Sequence, residues 1–173
     1  MNPAQSKFYR RIRRPCLLGM LMFTSLFATL GGVHSQTSAP TQGRAQPKLQ
    51  TIEILAGIHK IRAEVAADAT SRSSGLMFRE KLGGNDGMLF VFERPSAQCF
   101  WMRNTRIPLS IAFIDDQGKV VNIADMKPFD EASHCSEKPV RFALEMDQGW
   151  FAKRAIKAGS ALSSDKLFAE PKR

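Results

Sequence analysis

The first 14 residues hold Lys7, Arg10, Arg11, Arg13 and Arg14 and no acidic residue, and an apolar run over residues 16–33 follows. No other feature constrains the fold so much, because it sets the first 35 residues apart from whatever domain the rest can form. A basic stretch, an apolar stretch and then the small residue Ser35 is the pattern of a secretion signal, with cleavage expected after Ser35. The alternative is an uncleaved anchor, which needs about 20 strongly apolar residues; here Thr24, Ser25, Thr29, Gly31 and Gly32 interrupt the run. Both readings put the domain outside the cytoplasm, periplasmic or extracellular, with membrane contact only through residues 16–33 if they are kept. Arg13-Arg14 is followed by Pro15 and Cys16, a poor twin-arginine context, and Cys16 opens the apolar run where a lipid-anchor cysteine would follow it.

The leader also distorts the charge. The whole chain has 25 Lys and Arg against 16 Asp and Glu, and removing the five leader cations leaves 20 against 16, or +4. That balance gives no reason to expect nucleic acid as a partner. Residues 36–50 are rich in Pro, Ser, Thr and Gln with almost no large apolar side chain, so they read as a disordered linker. Residues 51–170 are enough for one domain with one core. Two cysteines, Cys99 and Cys135, remain after cleavage. In an oxidising compartment an even count suggests a disulfide, the alternative being two buried thiols. There is no C-x-x-C spacing to suggest a catalytic dithiol.

From Thr51 onward short apolar stretches are punctuated by Gly, Asp, Pro and Asn. Ile52 and Ile54, then Ile58, Ile61, Ala63 and Val65, predict two strands around Gly57. Asp68 suits the N-cap of a short helix over residues 69–76 that Gly75 helps to end. The continuous run 88–92 predicts a strand buried on both faces. Strands are expected over 99–102 and 110–114, joined through Pro108, which cannot donate to a ladder. Asp115-Asp116-Gln117-Gly118 reads as a hairpin turn into a strand over 119–123. A further strand over 141–146, a short helix over 150–157 and an edge strand over 166–168 complete the pattern. Many short strands and one or two short helices predict a mainly β fold, a small antiparallel β sandwich or open barrel.

Four motifs occur in order: Ser74-Gly75-Leu76-Met77-x-Arg79; Gly87-Met88-Leu89-Phe90-x-Phe92; Phe100-Trp101-Met102-Arg103-Asn104-Thr105-x-Ile107-Pro108-Leu109; and Leu144-Glu145-Met146-x-x-Gly149. Together they resemble the DUF192 family, also called UPF0127, over residues 61–162. The resemblance implies a small, β-rich, often exported domain and no particular activity. The family usually has an acidic residue where this chain has Ser110, so no role can be carried over for that carboxylate.

In a strand starting at Cys99, Phe100 and Met102 face one side while Trp101 and Arg103 face the other. A ring beside a guanidinium can stack on a sugar or flat ligand and bond its polar edge. Asn104 and Thr105 would line that site or shape its turn. Glu145, among apolar neighbours, is expected on the solvent face or paired with Arg103 or Arg79; buried, it is the one candidate for acid–base catalysis. Arg72 and Arg79 read as solvated helix-face charges, and Gly83-Gly84 with Asp86-Gly87 as a turn, since no phosphate-loop pattern is present. Met77, Met88, Met102, Met126, Met146 and His134-Cys135 are soft ligands, but no pair has ligand spacing, so no metal or other cofactor is expected. His59 and His134 have no Ser and Asp partners that would suggest a triad.

These residues predict a non-catalytic envelope binding or accessory module for a small polar or carbohydrate-like ligand near Trp101, Arg103, Asn104, Thr105 and Glu145. The alternatives are a hydrolase or lyase using Glu145 with an arginine, and a periplasmic copper-binding protein. N-terminal sequencing of the exported protein is expected to begin at Gln36; a sequence beginning at Met1 in the membrane fraction would make residues 16–33 an anchor.

Overall fold

The computed structural model describes residues 43–165 with Leu167 and Phe168. The leader and its expected cleavage point lie outside the described residues. Among those residues no helix is long and apolar enough to cross a membrane.

Strand β1 (Thr51–Ala56) turns at Gly57, φ +61°, into β2 (His59–Ala66). Helix α1 (Ala69–Ser74) then starts in a reciprocal capping box. The Asp68 carboxylate accepts from the Ser71 backbone N–H, and the Asp68 N–H donates to Ser71 Oγ. The bonds from Ser71 hold the Asp68 carboxyl below its ordinary range. Strand β3 (Asp86–Ser96) follows, then β4 (Cys99–Phe100), β5 (Leu109–Ile114), β6 (Val120–Met126), β7 (His134–Cys135), β8 (Val140–Asp147) and β9 (Leu162–Ser163).

Seven strands form one curled sheet in the order β6-β5-β8-β3-β2-β1-β9, and β4 with β7 forms a separate two-stranded ribbon. Of the two architectures open in the sequence, the half-open barrel is the one formed. The pairing is antiparallel except for β2 with β3, which the crossover through α1 makes parallel.

Three neighbouring strands, β5, β8 and β3, are covered on both faces. All six residues of β5 are buried, as are Phe142 to Met146 of β8 and Gly87 to Phe90 of β3. On one face Leu89, Leu144 and Ala112 share a core with Ile54, Ile61, Trp150, Phe151, Ile156 and Leu162. On the other, Met88, Phe90, Ile111 and Phe113 pack under Leu76, Met102 and Ile107. A two-faced core explains why these strands read as unbroken apolar runs while β2 alternates.

Several expectations need correction. The helix over 150–157 is only a 3-10 turn, Ala152–Arg154, because Ala155 turns left-handed at φ 56° and the Ile156 N–H folds back to the Phe151 carbonyl. The expected edge strand at 166–168 is displaced to β9, which pairs with Leu55 and Ala56; Leu167 and Phe168 instead pack on the first core. The strand expected over 99–102 stops at Phe100, since the Met102 N–H leaves the ladder for the Asp130 carbonyl. Within the stretch read as a linker, Gln46 donates to the carbonyls of Ser71 and Gly75, and the Val65 N–H donates to the Gln50 carbonyl.

Residues 159–163 join the two margins of the sheet. Gly159 and Ser160 exchange backbone bonds with Val120 of β6, Ala161 bridges to Lys119, and Leu162–Ser163 pairs with β1.

Gly87 lets β3 and β8 approach closely: a Cβ there would stand 2.7 Å from the Glu145 carbonyl oxygen and overlap the Met146 sulfur. The thioether can move, but the ladder carbonyl cannot. Gly87→Ala is therefore expected to destabilise the domain by about 1–3 kcal/mol in urea denaturation, and an unchanged midpoint would contradict that packing.

Candidate functional site

Trp101 leaves β4 with 45% of its surface exposed, and the Arg103 guanidinium lies over its ring at 4.6 Å. Phe100 and Met102 turn inward, as strand alternation predicts; Phe100 packs edge-on against Phe90 at 4.8 Å and Met102 is buried. Arg103 also reaches Glu131, Nε to Oε1 at 3.1 Å, with its guanidinium across the indole.

The loop carrying these residues is held by three backbone bonds, two to the segment around Phe129 and one to Phe78. Met102 N–H donates to Asp130 O at 2.7 Å, Phe129 N–H to Thr105 O at 3.1 Å, and Phe78 N–H to Asn104 O at 2.9 Å. Phe78 and Phe129 both adopt left-handed backbone at φ 61° to make those bonds. That conformation is costly for a large side chain and persists only where surrounding contacts impose it. It leaves Phe129 60% exposed, on a loop bonded directly to the one that carries Trp101. A disulfide between Cys99 and Cys135, directly opposed in the β4–β7 ribbon, ties the bases of the two loops together. Thr105 is buried and Asn104 half-buried against Met77, its Nδ2 3.8 Å from the sulfur, so both shape the turn.

Glu145 lies elsewhere. It sits in mid-β8, 4% exposed, opposite Met88 on one side and Ile111 on the other. No ion pair or hydrogen bond to its carboxyl is present among the described residues. The expected solvent-facing and arginine-paired placements are both overturned, because Arg103 holds Glu131 and Arg79 holds Glu64 through two bonds of 2.9 and 3.1 Å. Arg79 is accordingly a largely buried ion-pair member rather than a solvated charge. Arg72 likewise is anchored, donating to Val91 O at 3.0 Å and lying over Phe92. Burial pushes the Glu145 carboxyl up from 4.5 to about 8. Among the described residues no arginine is paired with Glu145.

The remaining candidates fall into structural roles. Met88, Met102 and Met126 belong to one core and Met146 to the other, while Cys135 is engaged in the disulfide. Ser110 Oγ donates to Asp125 and accepts the Gly149 N–H at 2.8 Å, so a carboxylate stands opposite Ser110, one strand away. His59 meets Trp150 edge-on, and His134 faces Asp130 at 3.5 Å. Gly83 accepts from the Asp86 N–H in a turn. An open cavity of about 530 Å³ lies over the starts of β1 and β2 against Gly83–Asp86, and none of the candidate site residues lines it. Phe129 and Glu131 are the residues of this surface that sequence reasoning missed; an apolar residue after Pro128 carries no signal that it will be exposed, and nothing local marks Glu131 as the partner of Arg103.

A single curled β sheet with a cross-linked aromatic loop defines a small, mainly β domain whose most distinctive surface is that loop. The family model DUF192, described as an uncharacterised ACR, matches residues 51–164, and the chain belongs to that family. No curated protein matches it. Among solved structures, the chain is similar to a proposed transcription regulator from Sinorhizobium meliloti 1021, at 29% identity and a TM-score of 0.67, over 70% of this chain and 99% of that one. It is also similar to a protein of unknown function from Novosphingobium aromaticivorans DSM 12444, at 35% identity and a TM-score of 0.64, over 72% of this chain and 89% of the other.

The burial of Glu145 has a definite pH signature. Below pH 4.5 folded and unfolded states both keep the proton; between 4.5 and about 8 only the folded state does, so this group's contribution to stability falls as pH rises, then levels off. Glu145→Gln is expected to remove that slope, with the stability difference moving in favour of the variant by up to about 1.4 kcal/mol per pH unit. Urea titrations from pH 5 to 8 check it, and parallel curves for parent and variant would refute a neutral buried carboxyl.

Proposed function

We propose that this domain is an exported, non-catalytic binding or accessory module of the cell envelope that takes a small polar, carbohydrate-like ligand on Trp101 and Phe129. The observation that carries the reading is the exposed indole of Trp101 with Arg103 lying across it. A sugar presents C–H faces that stack on aromatic rings and hydroxyl edges that bond a guanidinium or carboxylate. Here Trp101 and Phe129 supply rings, while Arg103 and Glu131 supply donors and acceptors. Asn104 and Thr105 act one step back by holding the turn, and Glu145 makes no ligand contact in this reading. A surface held in place by a disulfide and three backbone bonds loses little conformational freedom on binding, which favours recognition by a small contact area. Cross-linked cysteines also support an oxidising compartment and hence export.

Thermal-shift and calorimetric titration against neutral sugars, peptidoglycan fragments and small anions tests the proposal. A ligand that raises the melting temperature of the parent is expected to lose roughly thirtyfold in affinity with Trp101→Ala, the loss typical of a buried aromatic anchor of about 2 kcal/mol. Equal binding by the variant, or no response to any of these compounds, would remove the proposal.

A further inference from the structure

The Cys99–Cys135 disulfide holds a part of the molecule that the seven-stranded sheet does not. Both cysteines are exposed, and the β4–β7 ribbon around them has two residue pairs, extended by bonds between Gln98 and Ser136 and by the Asn122 amide donating to the Cys135 carbonyl. Between them in the chain, β5 and β6 are paired with each other from Leu109–Met126 to Ile114–Val120, and β5 is also paired with β8. That hairpin stays in the sheet whether or not the cross-link exists. The loops on either side of it, residues 101–108 and 127–133, take their mutual spacing from the ribbon, the first being anchored in the core through Met102 and Ile107.

Those are the loops that present Trp101, Arg103, Phe129 and Glu131. They are joined further on by Met102 N–H to Asp130 O, Phe129 N–H to Thr105 O and the exposed Arg103–Glu131 pair. Exposed ion pairs contribute little, and the left-handed backbone at Phe129 favours release if the ends are free to part. The cross-link therefore controls the order of this surface locally, as a low-stability unit on a stable core.

We infer that Cys99–Cys135 is a reversible exchange site, acted on by a dithiol oxidoreductase, whose reduction loosens the Trp101–Phe129 surface while the sheet stays folded. The consequence for ligand binding rests on the proposed function above; the loosening itself does not. A thiolate of the oxidoreductase attacks one exposed sulfur, forming a mixed disulfide and releasing the other cysteine as a thiolate, which takes up a proton. The second thiol of the oxidoreductase then displaces the remaining cysteine. Two electrons pass to the domain, Cys99 and Cys135 end as thiols, and the oxidoreductase ends as a disulfide.

The test is hydrogen exchange on the full chain, oxidised and after treatment with a thioredoxin-class dithiol protein, with alkylation to count free thiols. Two alkylated thiols are expected without denaturant, together with a roughly tenfold or greater loss of protection at the Met102 and Phe129 amides and none in β3, β5 and β8. Reoxidation should restore protection, and the Cys99→Ser/Cys135→Ser double variant should resemble the reduced protein. Unchanged protection at Met102 and Phe129, loss of protection throughout the sheet, or a disulfide that is reduced only in denaturant would each overturn the inference. Because no ligand enters these measurements, a failed ligand screen sinks the binding proposal and leaves the exchange site standing, and the reverse also holds.

Discussion

Burial of both faces of β5, β8 and β3 is the constraint on which the rest of the molecule depends. A sheet this small would ordinarily wet one side. Here the chain covers one face with Leu76, Met102 and Ile107 and the other with Trp150, Phe151 and Ile156. The covering residues come from connections rather than from a second sheet. The loops are consequently part of the core at Met102 and Ile107, while the exposed tip around Trp101 is held by the cross-link and by backbone bonds. Trp101 is displayed because its neighbour Met102 is anchored, one residue pointing in and the next pointing out.

The same burial isolates Glu145. Glu64 lies across Met88 from it on the same face, and Arg79 satisfies Glu64 with two bonds while leaving Glu145 with none. One carboxylate is thus matched by a cation and its neighbour is held neutral by the surrounding hydrocarbon. A buried group kept neutral is tolerated far better than an unpaired charge, and it raises no demand for a ligand. The exposed Arg103–Glu131 pair lies at the cross-linked loops, distinct from these two carboxyl groups.

Much of the fold was legible because short-range chemistry decides it. Gly57, Gly75 and Gly118 stand at turns with positive φ, Asp68 caps α1, and the contrast between alternating β2 and unbroken β3 tells one-sided from two-sided burial. Parallel pairing of β2 with β3 was not legible, since side-chain periodicity is the same in either direction. The helix expected at 150–157 failed because apolar spacing there serves packing on the first core, while the left-handed Ala155 ends the turn. Of the candidate site, the opposed faces of Phe100–Met102 and Trp101–Arg103 follow from strand alternation. The partners did not: Arg79 meets Glu64 and Arg103 meets Glu131 across 15 and 28 residues, and nothing local selects one carboxylate over another. Phe129 was hidden for the same reason, its exposure being imposed by a bond to a distant carbonyl.

Residues 159–163 stitch β6 to β1, and the aromatic residues that cover the first core lie only a few positions before them. The two margins of the sheet therefore cannot be secured until nearly the whole chain has been made. An emerging polypeptide of this sequence stays short of its final form throughout synthesis, with its earliest strand waiting for its last.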